Sequence, residues 1–317
     1  MKVFAIGFGI AMLFTATGVV QAASYNVQPV QFPTDPTFTQ LLGINNAGTI
    51  AGFHGAAIAS GFTLTLPNNF TPQNFPNSAQ TMVTAINNAG STAGIYMDGG
   101  GTTHGYTDIG GVFKTVDDPA HPVFNQALGI NDANTTVGYF ALDKAQGVMG
   151  QSAYSQSNGV FTNINALLPS NNNSQAVGIN NAGNIVGFYL PASGPITSVG
   201  FLDQNGVIAT LDPFGSTNTQ ALGINNQGEI VGFYTDTGGV QHGYTDIGGV
   251  FTSFDSAGSV NTTINGVNDL GQLVGFYNDV NGNVIGFAAT PTPEPASFAL
   301  LGAGLLGLAG MLRRRRT

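Results

Sequence analysis

Between Thr219 and Asp255 apolar and polar positions alternate in four short runs, "TQALGIN", "EIVGFYTD", "VQHGYTDI" and "VFTSFD", separated by "NQG", "TGG" and "GG". Alternation of period two reads as strand, and glycine-bearing loops of two or three residues read as hairpin turns in which a residue such as Gly228 takes positive φ. The segment therefore predicts a four-stranded antiparallel meander. Its second run is apolar on both faces, with Ile230 and Tyr234 on one and Val231 and Phe233 on the other. Such a sheet is expected to be covered on both sides.

The pattern repeats. The phrase "GINNAG.I.GF" recurs at Ile44-Asn45, Ile86-Asn87, Ile130-Asn131, Ile179-Asn180, Ile224-Asn225 and, altered, Val267-Asn268, at intervals of 42, 44, 49, 45 and 43 residues. A period of that size holds four strands of about 5–6 residues with their turns. Six units whose strands are buried on both faces fit blades clamped between neighbours, so the fold class expected is all-β, a six-bladed β-propeller of four-stranded antiparallel blades. Glycine stands at one phase of the second strand in every unit, at Gly52, Gly94, Gly138, Gly187, Gly232 and Gly275. The first strand carries Gly43, Gly129, Gly178, Gly223 and Gly266, with Ala85 as the exception. Both rows predict close backbone approach near a crowded axis. The sixth unit ends one strand short at Thr292, and "YNVQPVQFP" (Tyr25–Pro33) is patterned to supply that strand and close the ring, which removes exposed edges.

Composition narrows the functional classes. The chain has no Cys, 7% charged residues and a net charge of −9, and between residues 23 and 292 its only cations are Lys114 and Lys144. Thiol chemistry is excluded, and nucleic acid and anionic lipid are disfavoured as partners, leaving neutral glycans or cations. The decapeptide "HGYTDIGGVF" occurs twice, at His104–Phe113 and His242–Phe251. The stations equivalent to the two histidines hold Ser60, Val199 and Ile285 in other units, so they read as strand positions, and neither a catalytic role nor a cofactor is expected. Asp98, Asp236 and Asp279 follow a tyrosine by two residues in the loop between strands two and three, and "DVNGN" (Asp279–Asn283) resembles the start of a calcium loop without its distal glutamate. Turn formation is the main reading of these aspartates and calcium binding the alternative. No Ser-His-Asp order, nucleotide-binding glycine loop or metal-ligand cluster is visible in the sequence.

Both ends read as targeting segments. Residues 1–22 form a signal peptide, with Lys2, the apolar run Val3–Val20 and small residues that place the cleavage after Ala22, so secretion machinery and a signal peptidase are expected partners. Residues 293–317 comprise Pro293-Glu294-Pro295, an uncharged segment 296–312 long enough to be a membrane helix, and Arg313, Arg314, Arg315 and Arg316. The arginines hold that end in the cytoplasm and leave the N-terminal domain outside, which predicts a transient or a stable inner-membrane anchor, the latter being a plain single span without processing. This tail resembles the PEP-CTERM sorting signal of Gram-negative bacteria. The resemblance implies recognition by an exosortase, removal near the Pro-Glu-Pro box, and delivery to the surface of cells that commonly make exopolysaccharide. The units between, residues 23–292, resemble HAF-type extracellular repeats, named for a His-Ala-Phe signature that stands here as His-Gly-Tyr, a family with no assigned activity.

These readings converge on an exported, monomeric, non-enzymatic propeller at the cell surface or in the exopolysaccharide matrix, with a structural or ligand-binding role. The alternative is a polysaccharide-active hydrolase or lyase on the same scaffold, since fold does not decide function. An enzyme of that kind is expected to break the repeat where its catalytic groups sit, and the marked break is unit three (Phe140–Leu168).

Overall fold

In the computed structural model each repeat folds into its own sheet. The structure describes residues 24–141, 150–169, 173–192 and 196–292, so the signal segment, the proposed membrane helix and the arginine cluster lie outside the described residues. Among the described residues twenty-four strands form six four-stranded antiparallel sheets. Blade 1 contains β2–β5, from Thr39–Ile44 to Asn69–Pro72; blade 2 contains β6–β9, Gln80–Ile86, Thr92–Met97, Thr103–Ile109 and Val112–Val116. Blade 3 contains β10–β13, from Asn125–Ile130 to Val160–Asn163; blade 4 contains β14–β17, from Ser174–Ile179 to Val207–Leu211. Blade 5 contains β18–β21, Asn218–Ile224, Ile230–Thr235, Gln241–Ile247 and Val250–Phe254. The irregular third unit thus still builds a regular blade among the described residues.

Blade 6 is shared by the two ends of the chain. β22 (Asn261–Val267), β23 (Leu273–Asn278) and β24 (Val284–Pro291) are completed on the outside by β1 (Tyr25–Val30), antiparallel in a register running from Tyr25 opposite Pro291 to Val30 opposite Gly286. The closing strand is the expected one, ending at Val30 rather than Pro33. Val30 is buried with Leu41 and Ala288, while Tyr25 and Val27 pack on the cluster of Ile264, Leu273 and Phe287.

The two glycine rows have different causes. In every blade the innermost strand carries a bulge just before its glycine or Ala85, as between Leu41 and Gly43. These first-strand glycines meet around the axis: a Cβ on Gly178 lies 3.2 Å from the Cα of Gly223, one on Gly223 lies 3.2 Å from Gly266, and one on Gly266 lies 3.2 Å from Gly43. The second-strand row is not axial. Its glycines make room for a ring on the third strand of the same blade, Phe62, Tyr106, Tyr154, Phe201, Tyr244 or Phe287, and for a carbonyl of the first strand, such as that of Gln40 opposite Gly52. Those six rings are among the largest fully buried side chains of the described residues.

The meander sorts the loops onto two faces. The hairpins joining strands one to two and three to four lie on one face; the loops joining strands two to three and the links between blades lie on the other.

Loss of β1 uncovers the edge of β24 and removes the buried Val30 together with the half-buried Val27 and Tyr25. At about 1.5–3 kcal/mol per buried apolar side chain, deletion of Ser24–Pro33 is expected to lower the melting temperature on the order of 10 °C in one cooperative transition. Differential scanning calorimetry checks this, and a separate low-temperature fraying step contradicts closure.

Candidate functional site

On the hairpin face the repeated Asn-Asn or Asn-Asp dipeptides form two closed rings. The first asparagine of each pair, Asn45, Asn87, Asn131, Asn180, Asn225 and Asn268, donates its Nδ2 to the main-chain carbonyl of its counterpart in the next blade, at 2.9–3.2 Å, and Asn268 returns to Asn45. Its Oδ1 caps its own hairpin, as when Asn45 accepts from the backbone N–H groups of Ala47 and Thr49. The second residues form another ring, in which each backbone N–H donates to the next blade's Oδ1 at 2.8–2.9 Å, from Asn46 to Asn88, Asp132, Asn181, Asn226, Asp269 and back.

The placement of the two aspartates completes this second ring. Asp132 Oδ2 accepts from Asn88 and Asn181, and Asp269 Oδ2 accepts from Asn46 and Asn226, at 2.6–2.9 Å. Blades 3 and 6 are opposite, so four amides are satisfied by two carboxylates held as far apart as six positions allow. Burial works to raise both carboxyls, and the asparagine hydrogen bonds outweigh it, leaving both below the ordinary carboxylate range.

Further along the axis the bulged residues close the channel around a cavity of about 100 Å³. Large Leu42, Leu128 and Leu222 alternate with smaller Thr84, Val177 and Asn265, an alternation that fills a tapering space.

On the opposite face the two decapeptides build matching clusters. His104 Nδ1 lies 2.6 Å from Asp117 and its Nε2 lies 3.5 Å from Asp98, while its ring stacks on Tyr96 at 4.8 Å. His242 is bracketed likewise by Asp255 at 2.8 Å and Asp236 at 3.5 Å, and stacks on Tyr234 at 5.1 Å. Both nitrogens of each imidazole are therefore directed at carboxylates. The remaining histidines each stack on a ring and lie beside a single aspartate: His54 on Phe32 with Asp35 at 3.5 Å, and His121 on Phe140 with Asp118 at 2.8 Å. The adjacent Asp117 and Asp118 lie just past the end of β9 at Val116 and serve different histidines, His104 and His121.

The loop aspartates are turned into their own turns. Asp98 Oδ1 accepts from the N–H groups of Gly100 and Thr102, Asp236 Oδ1 from Val240, and Asp279 Oδ1 from Asn281 and Asn283. Among the described residues no group of three or more His, Cys, Asp or Glu is arranged to hold a metal. Sequence reasoning missed Asp117 and Asp255 as histidine partners and the second residue of each Asn pair as a ring former; the signal for the latter was the dipeptide itself, present in all six units.

The two clusters differ in the ring that leads into them. Phe75 lies parallel to Tyr96 at 3.8 Å, whereas Phe214 adopts φ 61°, is 58% exposed and tilts by 46° against Tyr234. Positive φ in a bulky residue marks local strain.

Residues 291–316 match the PEP-CTERM protein-sorting motif. The match implies an exported protein anchored through its C-terminus and processed by an exosortase. No curated protein matches the chain. The structure is similar to a variant of the Aleuria aurantia lectin in complex with Fucα1-6GlcNAc, at 12% identity and a TM-score of 0.50, over 84% of this chain and 99% of that one. It is also similar to a mutant of AofleA from Arthrobotrys oligospora (10% identity, TM-score 0.46, 83% of this chain and 85% of that one). Pyrococcus horikoshii acylaminoacyl peptidase matches with 10% identity and a TM-score of 0.47, over 88% of this chain and 46% of that one. At 12% identity the likeness to the Aleuria aurantia lectin shows the propeller fold alone. Among the described residues no helix is long and apolar enough to cross a membrane.

Three substitutions test the belt and the histidine clusters. Asp132→Asn places an amide where two amides already donate, so although asparagine stands at four of the six stations, the variant is expected to lose about 1 kcal/mol. Because the folded carboxyls are lowered, the contribution of Asp132 and Asp269 is present above the ordinary carboxylate range and disappears as pH falls below it; acid titration of unfolding free energy in parent and variant tests this. His104→Val strands the largely buried Asp117 and is expected to cost about 1–3 kcal/mol. His242→Val leaves the 46% exposed Asp255 in water and is expected to cost under about 1 kcal/mol. Burial lowers the His242 pKa, but its bonds to Asp255 and Asp236 raise it further, so the His242 contribution is full below the ordinary histidine value and fades as pH rises through the elevated one. Denaturant titrations of both variants at pH 6 and pH 8 measure this order and sign.

Proposed function

We propose that this protein is an exported, non-enzymatic propeller that binds neutral glycan at the cell surface or in the exopolysaccharide matrix. The observation that carries the reading is the union of a PEP-CTERM sorting motif at residues 291–316 with a closed propeller similar in fold to a lectin solved with Fucα1-6GlcNAc. In this reading residues 1–22 are removed after Ala22, residues 23–292 are HAF-type repeats forming the working domain, and residues 293–317 act as a temporary membrane anchor with the domain outside. The tail is recognised through Pro293, Glu294 and Pro295 and through Arg313–Arg316, and is released by an exosortase-type enzyme. The mature protein acts as a monomer.

The non-enzymatic part is supported by the committed state of the imidazoles. His104 and His242 have each ring nitrogen facing a carboxylate, so neither offers a free base to a substrate. The acidic balance of the chain supports neutral over anionic polysaccharide, because like charges repel.

A glycan array probed with the exported protein is expected to give hits confined to uncharged glycans, with no new reducing ends released from them on prolonged incubation. Hits restricted to uronate-rich or sulfated glycans, or release of reducing ends, would overturn the assignment.

A further inference from the structure

Five of the six blades carry an aromatic residue directly after the second-strand glycine: Phe53, Tyr139, Phe188, Phe233 and Phe276. Blade 2 has Ile95. At the next station on the first strand blades 1, 3, 4 and 5 carry Gln40, Gln126, Gln175 and Gln220, and blade 2 has Met82. The same blade opens a cavity of about 180 Å³ toward blade 3, on the face of the two-to-three loops, with Met82, Ile95 and Met97 as its apolar lining and Gln80, Gln126 and Tyr96 among its polar residues. In blades 1 and 3 the aromatic residue is covered by a second ring, Phe38 against Phe53 at 5.8 Å and Phe124 against Tyr139 at 5.7 Å. Blade 2 has Gln80 at that covering station. The space comes from two reductions in side-chain volume at neighbouring positions, not from any break in the backbone.

The lining has the composition of a small-molecule site. Two thioethers and an isoleucine side chain form an adaptable apolar wall. Among the described residues Gln126 makes no side-chain hydrogen bond, so its amide is free to pair with a ligand at no cost to the fold. Gln80 has only weak partners, the Ala59 N–H at 3.4 Å and the Met97 sulfur at 4.0 Å. Orientation by a few convergent polar groups above an apolar wall is how compact ligand sites are built.

Size and polarity choose the ligand. A cavity of roughly 150 Å³ accepts one benzene-sized ring, so this space takes a single pyranose rather than a disaccharide. A hydroxymethyl group turned onto Met82, Ile95 and Met97 would bury an unpaired hydroxyl, and an acetamide would bury an unpaired N–H and carbonyl. A methyl group carries no such penalty. Resting on the reading that the protein binds neutral glycan, we propose that the cavity between blades 2 and 3 is a monosaccharide subsite for a 6-deoxyhexose, its C5 methyl against Met82, Ile95 and Met97 and its hydroxyls on Gln80 and Gln126.

The test uses the exported protein labelled with 13C at the methionine methyl groups, titrated with methyl α-L-rhamnopyranoside, methyl α-L-mannopyranoside and methyl N-acetyl-β-D-glucosaminide. The 6-deoxy sugar is expected to shift the Met82 and Met97 methyl resonances and to bind at least about tenfold more tightly than its hydroxymethyl parent. Ile95→Phe, which restores the residue class of the other blades and fills the space, is expected to abolish those shifts while the melting temperature holds or rises. Gln126→Ala is expected to weaken binding about tenfold without changing stability. Equal binding of the three sugars, a preference for the acetamido sugar, or unchanged binding in Ile95→Phe overturns the proposal. The titration of Met82 and Met97 in the parent protein decides the matter even if Ile95→Phe fails to fold. If the array finds neutral glycans but these methyl groups stay unmoved, this subsite is wrong and the glycan reading stands; if the array also finds none, both fall.

Discussion

Six blades form a stable ring only if the inner strands can come close enough to touch. A side chain at the axial station of each first strand would push neighbouring backbones apart, and the near-unbroken run of glycine there, with Ala85 as its single Cβ, sets how tightly the ring closes. Everything else follows from that approach. It brings the hairpins of adjacent blades within reach of one another, so that Asn45 and its counterparts bridge from blade to blade with one amide each. Glycine in a strand weakens the strand by itself; here the loss is offset between blades, because the same absence of a side chain creates the contact.

The resulting belt on the hairpin face is mostly polar and directional, while the opposite face is held by rings and carboxylates. Hydrogen bonds in the belt are individually modest, about 0.5–1.5 kcal/mol each, but the belt closes on itself only when all six blades are in register. Asp132 and Asp269 show how finely the belt is tuned, since replacing two asparagines by two aspartates turns a ring of surplus donors into a matched set. On the loop face tolerance is greater. Blade 5 accepts an exposed Phe214 where blade 2 has a stacked Phe75, and blade 2 accepts Ile95 where the others have rings. Closure is therefore concentrated on one face, and individuality is free to develop on the other.

The sequence by itself determined the architecture. Period-two alternation, glycine-bearing turns and a repeat near 45 residues are local signals, and the missing strand of the sixth unit could be found by counting, so Tyr25 and Val30 were legible as closing residues. The tail at residues 291–316 was legible for the same reason, being a linear signal that a protein reads in sequence. What only the tertiary structure decided are relations across blades. Gly43 and Gly52 look alike in the chain, yet one faces the axis and the other faces Phe62. His104 could be aligned with Ser60 and Val199, but its bonds to Asp117 and Asp98 depend on where a loop and a strand end meet in space. The Asn-Asp belt joins residues more than forty positions apart, and the cavity beside Ile95 exists because a smaller side chain in one blade faces a neighbouring blade. A hydrogen bond or a void is a property of pairs of surfaces, and the chain alone gives only one surface at a time.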